Sequence, residues 1–294
     1  MHSYLRAIGF SDIKTRPELN KLFNIIIRKP TTVNNLRIDE ELMYSEISLE
    51  FAEGIGITIR GEYDSKDKFH IENYFPFISG NEISTREEIA INKKVDSEAY
   101  TGMCDDFRLG VSLIFYLQNA LEYRKNKIKE MSFNKAFNVY LSSLSLEGSI
   151  LLPMDKTDDQ KKNIIADAKY RHNLISEAKK GNQDAIDDLT IDDIDTYAMV
   201  SKRIRHEDIY SIVDTSFIPY GSESDNYSII ATIKEVELVT NTHTKEKMYD
   251  MKLLCNGVEI RTCINKEDLI GEPRVGRRFK GNIWLQANIH FKQS

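Results

Sequence analysis

Residues 272–291 read Glu272-Pro-Arg-Val-Gly-Arg-Arg-Phe-Lys-Gly-Asn-Ile-Trp-Leu-Gln-Ala-Asn-Ile-His-Phe291. A turn at Glu272-Pro273 and two glycines, Gly276 and Gly281, frame a basic cluster and the sole tryptophan of the chain. From Ile283 the alternation is strict. Ile283, Leu285, Ala287, Ile289 and Phe291 share one face, and Trp284, Gln286, Asn288 and His290 share the other. This predicts the last strand of a small barrel, with an aromatic and polar groups on its second face.

Working back from that strand, the best local signal is Asn256-Gly257, set between two apolar-alternating runs. It predicts a two-residue type I′ hairpin. The turn fixes the register: Cys255 faces Val258, Leu253 faces Ile260, Met251 faces Thr262 and Tyr249 faces Ile264. These pairs are nearly all apolar, which supports the turn independently. Upstream, Tyr227–Val239 places Ile229, Ala231 and Ile233 on one face and Val236 and Leu238 on the other, so a bulge is expected near Lys234-Glu235. Downstream, Asn265 caps a short helix over Lys266–Ile270. Long bulged strand, hairpin, short helix and final strand is the order of a five-stranded barrel of the oligonucleotide/oligosaccharide-binding (OB) type. Only four strands are evident, which leaves an SH3-like or other small barrel open.

The start of the chain has a different pattern. Thr15-Arg-Pro-Glu18 is a capping box ahead of Leu19, Leu22, Phe23, Ile26 and Ile27 at helical spacing, and Pro30 ends the run. Alternating segments follow: Ile47–Phe51, Ile57–Tyr63, Phe69–Phe75 and a longer one from Phe107 to Leu117. Short connections favour antiparallel neighbours. Asn119–Met131 is a charged helical stretch, and Val139–Leu146 and Ser149–Leu152 read as a strand pair turning at Glu147-Gly148. A helical connector then begins with a second capping box, Thr157-Asp-Asp-Gln160, and continues through Ile164, Ile165, Ala168, His172 and Ile175 to a stop at Gly181. Asn182 caps a short helix, and Thr190 opens a third with Ile194, Ala198 and Ile204 inward. Its acidic start and basic end match the helix dipole and read as solvated faces. Gly221-Ser-Glu-Ser-Asp225 reads as a linker. The expected fold class is α+β: an antiparallel-sheet domain over 1–154, a helical connector over 155–220 and an OB-like barrel over 221–294.

Composition narrows the function classes. The 294 residues are 41% hydrophobic and 29% charged with a net charge of −6, an ordinary globular profile that weakens a role gripping phosphate backbones. Three unclustered cysteines and no apolar run long enough to span a bilayer point to the reducing cytoplasm, without membrane association. No phosphate loop, dinucleotide fingerprint, zinc-protease or nucleophile-elbow motif occurs. Six scattered histidines carry no metal spacing, so no cofactor, metal or catalytic residue is assigned. By the hairpin register Cys255 and Cys263 point to opposite faces and share neither a metal nor a disulfide. Cys104 sits beside Asp105 and Asp106, which disfavour a thiolate.

One constellation merits weighing: Arg274, Arg277, Arg278 and Lys280 with Trp284. Cations and an aromatic on a barrel suit single-stranded nucleic acid or another polyanion. The competing reading pairs the cations with acidic neighbours and buries Trp284 against the preceding domain. It carries more weight, because stacking sites generally use several rings.

The chain resembles a family of bacterial proteins of about this length with uncharacterised function. The residues carrying the likeness are Gly9-Phe10-Ser11, Ser211-Ile-Val-Asp214, Cys263-Ile-Asn-Lys266, Gly276-Arg-Arg-Phe-Lys-Gly281 and Trp284-Leu-Gln286. The resemblance implies a bacterial origin and transfers no activity or site. The leading expectation is a non-enzymatic binding or scaffolding protein, with a protein partner or small ligand favoured over nucleic acid. The alternatives are an enzyme with a site in an inter-domain cleft, and single-strand binding by the barrel.

Overall fold

Thr15 caps the first helix as its sequence requires. The Thr15 side chain accepts from the Glu18 backbone N–H, and the Glu18 carboxylate accepts from the Thr15 N–H. The structure, a computed structural model, describes residues 2–37, 43–64, 68–93, 99–106, 108–128, 137–154, 158–204 and 209–291. Helix α1 (Arg16–Arg28) buries Leu19, Leu22, Phe23 and Ile26. It lies on an antiparallel sheet of β1 (Thr32–Arg37), β2 (Met43–Ala52), β3 (Ile55–Tyr63) and β4 (Phe69–Ile78), in that order. β1 is the strand the alternation does not announce.

Next come β5 (Ile89–Lys93), β6 (Tyr100–Asp106), β7 (Val111–Leu117) and α2 (Ala120–Ile128). The expected single strand Phe107–Leu117 therefore begins at Val111. Leu109 N–H bonds Asp106 O and Gly110 has φ 69°, so residues 108–110 form the turn of a β6–β7 hairpin. The parity of the apolar residues survives the turn, and Leu113, Phe115 and Leu117 are buried together. β8 (Phe137–Leu151) is one uninterrupted strand where a pair turning at Gly148 was expected. Gly148 serves close approach: a Cβ there would meet the Phe279 ring at 2.4 Å.

Two long helices follow, α3 (Asp158–Lys179) and α4 (Gln183–Ile204), then one turn of α5 (Ile209–Ile212). Gly181, φ 88°, ends the first as read, and Asn182 Oδ1 accepts from Ala185 N–H. Thr190 opens no new helix. Its hydroxyl donates to Ile186 O at 2.8 Å inside a continuous α4, and Ile194, expected inward, is 61% exposed. Phe107, Met131 and Thr157, and the side chains of Ile164, Ile165, Ala168, His172, Ile204 and Phe291, lie outside the described part.

β9 (Ser216–Pro219) and β10 (Asn226–Thr240) pair antiparallel, so Gly221–Asp225 is their hairpin loop. β11 (Lys247–Cys255) and β12 (Val258–Asn265) pair through Asn256-Gly257 in the predicted register at all four positions. Asn256 and Gly257 have φ of 48° and 81°, the left-handed pair that a type I′ turn needs. The β10 bulge falls between Ile233 and Glu235. β13 (Leu269–Ile270) and β14 (Arg278–Phe291) complete the chain.

β10, β11, β12, β8 and β14 close into a five-stranded barrel. The β12–β8 pair is parallel and the others antiparallel. The strand that completes closure thus comes from ahead of the helices, which is why only four strands are evident in the last third. Barrel closure leaves no open edge among these five. Its interior is packed by residues including Ile229, Ile233, Leu253, Ile260, Phe279 and Leu285. A second core forms where the barrel's outer surface meets residues 5–10, α1 and the four-stranded sheet, and it takes Leu144, Met248, Cys263 and Trp284. Both faces of β14 are buried for this reason. Among the described residues no helix is long and apolar enough to cross a membrane.

Candidate functional site

Barrels of the OB type that bind ligands do so on the outer face of the second and third strands and on the loop joining the first two. Here these are β11, β12 and the Asn241–Glu246 loop. The inward residues of the hairpin are Met251, Leu253, Cys255, Val258, Ile260 and Ile264. Strand alternation sends Met248, Asp250, Lys252, Arg261, Cys263 and Asn265 outward.

That face holds residues 5–11 of the same chain. Four consecutive carbonyls are each met by a barrel side chain. Asn265 Nδ2 reaches Arg6 O at 3.2 Å, Cys263 Sγ donates to Ala7 O at 3.3 Å, Asn241 Nδ2 to Ile8 O at 2.8 Å and Thr244 Oγ1 to Gly9 O at 2.6 Å. Glu246 accepts from Ser11 N–H and Ser11 Oγ at 3.0 and 2.7 Å, and from Asn265 Nδ2 at 2.7 Å. The Arg6 guanidinium grips Asp268 through two bonds of 2.6 and 2.7 Å. Leu5, Ala7, Ile8 and Phe10 are buried. Gly9 lies at φ 81°, and a Cβ there would come within 3.0 Å of Asn241 Cβ.

Local chemistry fixes the donors. Asn241 Oδ1 accepts from the N–H groups of His243 and Thr244 at 2.9 and 3.0 Å, an Asx arrangement that orients its amide. Burial pushes the Cys263 thiol well above its ordinary value, so it stays protonated and donates. A cavity of about 450 Å³ lies beside the segment, walled by Arg6, Asp12, Lys245, Glu246, Lys247 and Lys266 among others. Its lining mixes acids and bases, and Arg6 and Glu246 are already engaged. No group of three potential metal ligands gathers among the described residues.

The five residues singled out in the sequence are divided. Arg274 forks onto Glu272 at 2.6 and 3.1 Å, both side chains 63% exposed, and Arg277 Nη1 donates to Glu272 O at 2.9 Å. Arg278 is buried and donates to the carbonyls of Leu152, Val213 and Tyr210, each at 2.8 Å. Burial pulls its pKa down, against the opposing pull of Asp214. Lys280 Nζ bonds the Tyr210 hydroxyl and lies 4.5 Å from that ring. Trp284 is enclosed by His2, Tyr4 and Tyr116 at 4.7, 5.3 and 5.2 Å, and its indole N–H meets Asp225 at 3.1 Å.

Within the second core, between the four-stranded sheet and the barrel, buried polar groups satisfy one another. Arg60, fully buried, donates to Glu46 at 2.7 Å, the Tyr116 hydroxyl at 2.9 Å and Gln118 O at 2.7 Å, with its guanidinium carbon 4.6 Å from the centre of the Phe75 ring. Gln118 Nε2 donates to Gln286 Oε1 at 2.7 Å, and Gln286 Nε2 to Pro76 O at 2.9 Å.

Residues 5–287 match the family model described as "Domain of unknown function, E. rectale Gene description (DUF3881)". The chain belongs to this family. No curated protein and no solved structure matches it. The matched span includes the segment from Leu5 and all five barrel strands except the last residues of β14.

Proposed function

We propose that this protein is a non-enzymatic binding or scaffolding protein of the cytoplasm that meets protein partners on its outer surface. The observation that carries this reading is occupancy of the barrel's ligand face by residues 5–11, carbonyl by carbonyl. A groove for a free nucleic-acid strand requires open rings and open cations. Trp284 is enclosed, and Arg278 and Lys280 are engaged with residues 210–214. The thiols of Cys104, Cys255 and Cys263 are free, buried and raised by burial, which suits a reducing compartment and gives no activated nucleophile.

Fluorescence anisotropy with labelled single-stranded DNA and RNA of about 15 nucleotides tests the reading at about 50 mM salt, where phosphate contacts are strongest. No saturable binding is expected up to about 50 µM, far above non-specific dissociation constants at low salt. Saturable, salt-sensitive binding abolished by Arg274→Ala with Arg277→Ala would overturn it in favour of a nucleic-acid interface.

A further inference from the structure

Helix α4 turns Ala185 and Leu189 inward and holds Asp193 against Arg171 of α3 at 2.6 Å. At 100° per residue, Ile191, Ile194 and Ala198 fall on the opposite side. Ile191 and Ile194 are 57% and 61% exposed. Asp184, Asp187, Asp188 and Asp195 border them, all exposed. From Gly181 to Ser201 the chain has six aspartates and no Lys, Arg or His. Whatever covers this face has to be apolar and basic.

A surface of that chemistry exists on the same molecule. At the end of β13 and in the loop that joins it to β14, Ile270 and Val275 are 77% and 67% exposed, and they flank Arg274 and stand close in sequence to Arg277. The loop is held by Gly271 and Gly276, both at positive φ. The Arg274–Glu272 pair is largely exposed, so it contributes little and is open to exchange. Both patches are exposed in the single chain, which means neither covers the other within one copy.

We propose that copies of this chain associate head to tail, the acidic-apolar face of α4 in one copy seated on the basic-apolar Ile270–Arg277 loop of the next. The proposal names the partner for the scaffolding reading and rests on it. Two different patches make the contact heterologous, so each copy keeps one free patch and assembly continues past the dimer or closes as a ring. The patches are small against a standard interface, which makes the contact weak, and their opposite charges make it salt-sensitive.

Sedimentation velocity of the full-length protein from about 1 to about 200 µM, at about 50 and about 500 mM salt, tests this. The weight-average mass should rise past the dimer at low salt and return to the monomer at high salt. Ile191→Ser with Ile194→Ser should stay monomeric, as should Arg274→Glu with Val275→Ser. These side chains are exposed, so both variants should fold as the wild type does. Asp187→Lys with Asp188→Lys, which keeps the apolar row, should behave like the first variant. An equimolar mixture of the Ile191/Ile194 and Arg274/Val275 variants should form a dimer and stop there, because one intact helix face meets one intact loop. A wild-type monomer throughout overturns the proposal, as does either variant assembling like wild type or a mixture that stays monomeric. Such a result leaves the nucleic-acid test of the broader reading independent.

Discussion

The His2 ring lies 4.7 Å from Trp284 and 5.9 Å from Tyr4, and burial strips water from its charged form, pulling the pKa from 6.5 to about 4. A lowered histidine pKa means that the unfolded chain binds the proton more tightly. The contribution is therefore complete above pH 6.5 and is lost as pH falls through 4, by up to about 3 kcal/mol. Urea unfolding at pH 7 and pH 4.5 should show wild type losing more stability than His2→Asn, with other acid-labile groups common to both. Parallel losses in the two proteins would contradict this. At the same scale, the strand carrying Trp284 was legible from alternation, but its cage was not. His2, Tyr4 and Tyr116 come from distant parts of the chain, and alternation assigns a face without saying what lies against it. The basic cluster shows the same limit. Arg278 is adjacent to Arg277 in sequence, yet one is spent on the backbone carbonyls of Leu152, Tyr210 and Val213 and the other stays in an accessible loop.

Among the elements, the hairpin was fully readable because Asn-Gly fixes both the turn and the register by local stereochemistry. β8 was not, since glycine serves positive φ and close approach equally well. Gly148 faces Gly281 across β14, and the Phe279 ring lies over both, 2.4 and 2.5 Å from where their Cβ atoms would stand. Gly148→Ala should therefore destabilise by about 1–3 kcal/mol through overpacking, although backbone entropy alone favours alanine over glycine within a strand. Chemical denaturation measures it, and Gly148→Ala with Phe279→Leu should recover part of the loss. A neutral Gly148→Ala would show that the ring does not occupy the glycine slot. The reading of α4 as two helices failed because Thr190 resembles a cap. Its hydroxyl instead bonds back four residues within the helix.

For the whole molecule, the α+β class and a small barrel follow from periodicity, whereas closure depends on a strand more than 70 residues upstream of its barrel neighbours. No local pattern encodes such a return. Nor does the sequence announce that residues 5–11 fill the barrel's outer face; the clue was confined to Gly9 and the turn-forming Asn241 and Thr244. Hydrogen–deuterium exchange of the 294-residue chain measures that occupancy. The N–H groups of Gly9, Phe10 and Ser11 are bonded to Arg6 O, Leu5 O and Glu246. They should exchange as slowly as hairpin residues 249–264, and Asn241→Ala with Thr244→Ala should accelerate them selectively, since two of the four carbonyl clamps are lost. Exchange of residues 9–11 at free-peptide rates in the wild-type protein, with the hairpin still protected, would mean that the segment does not occupy the barrel face.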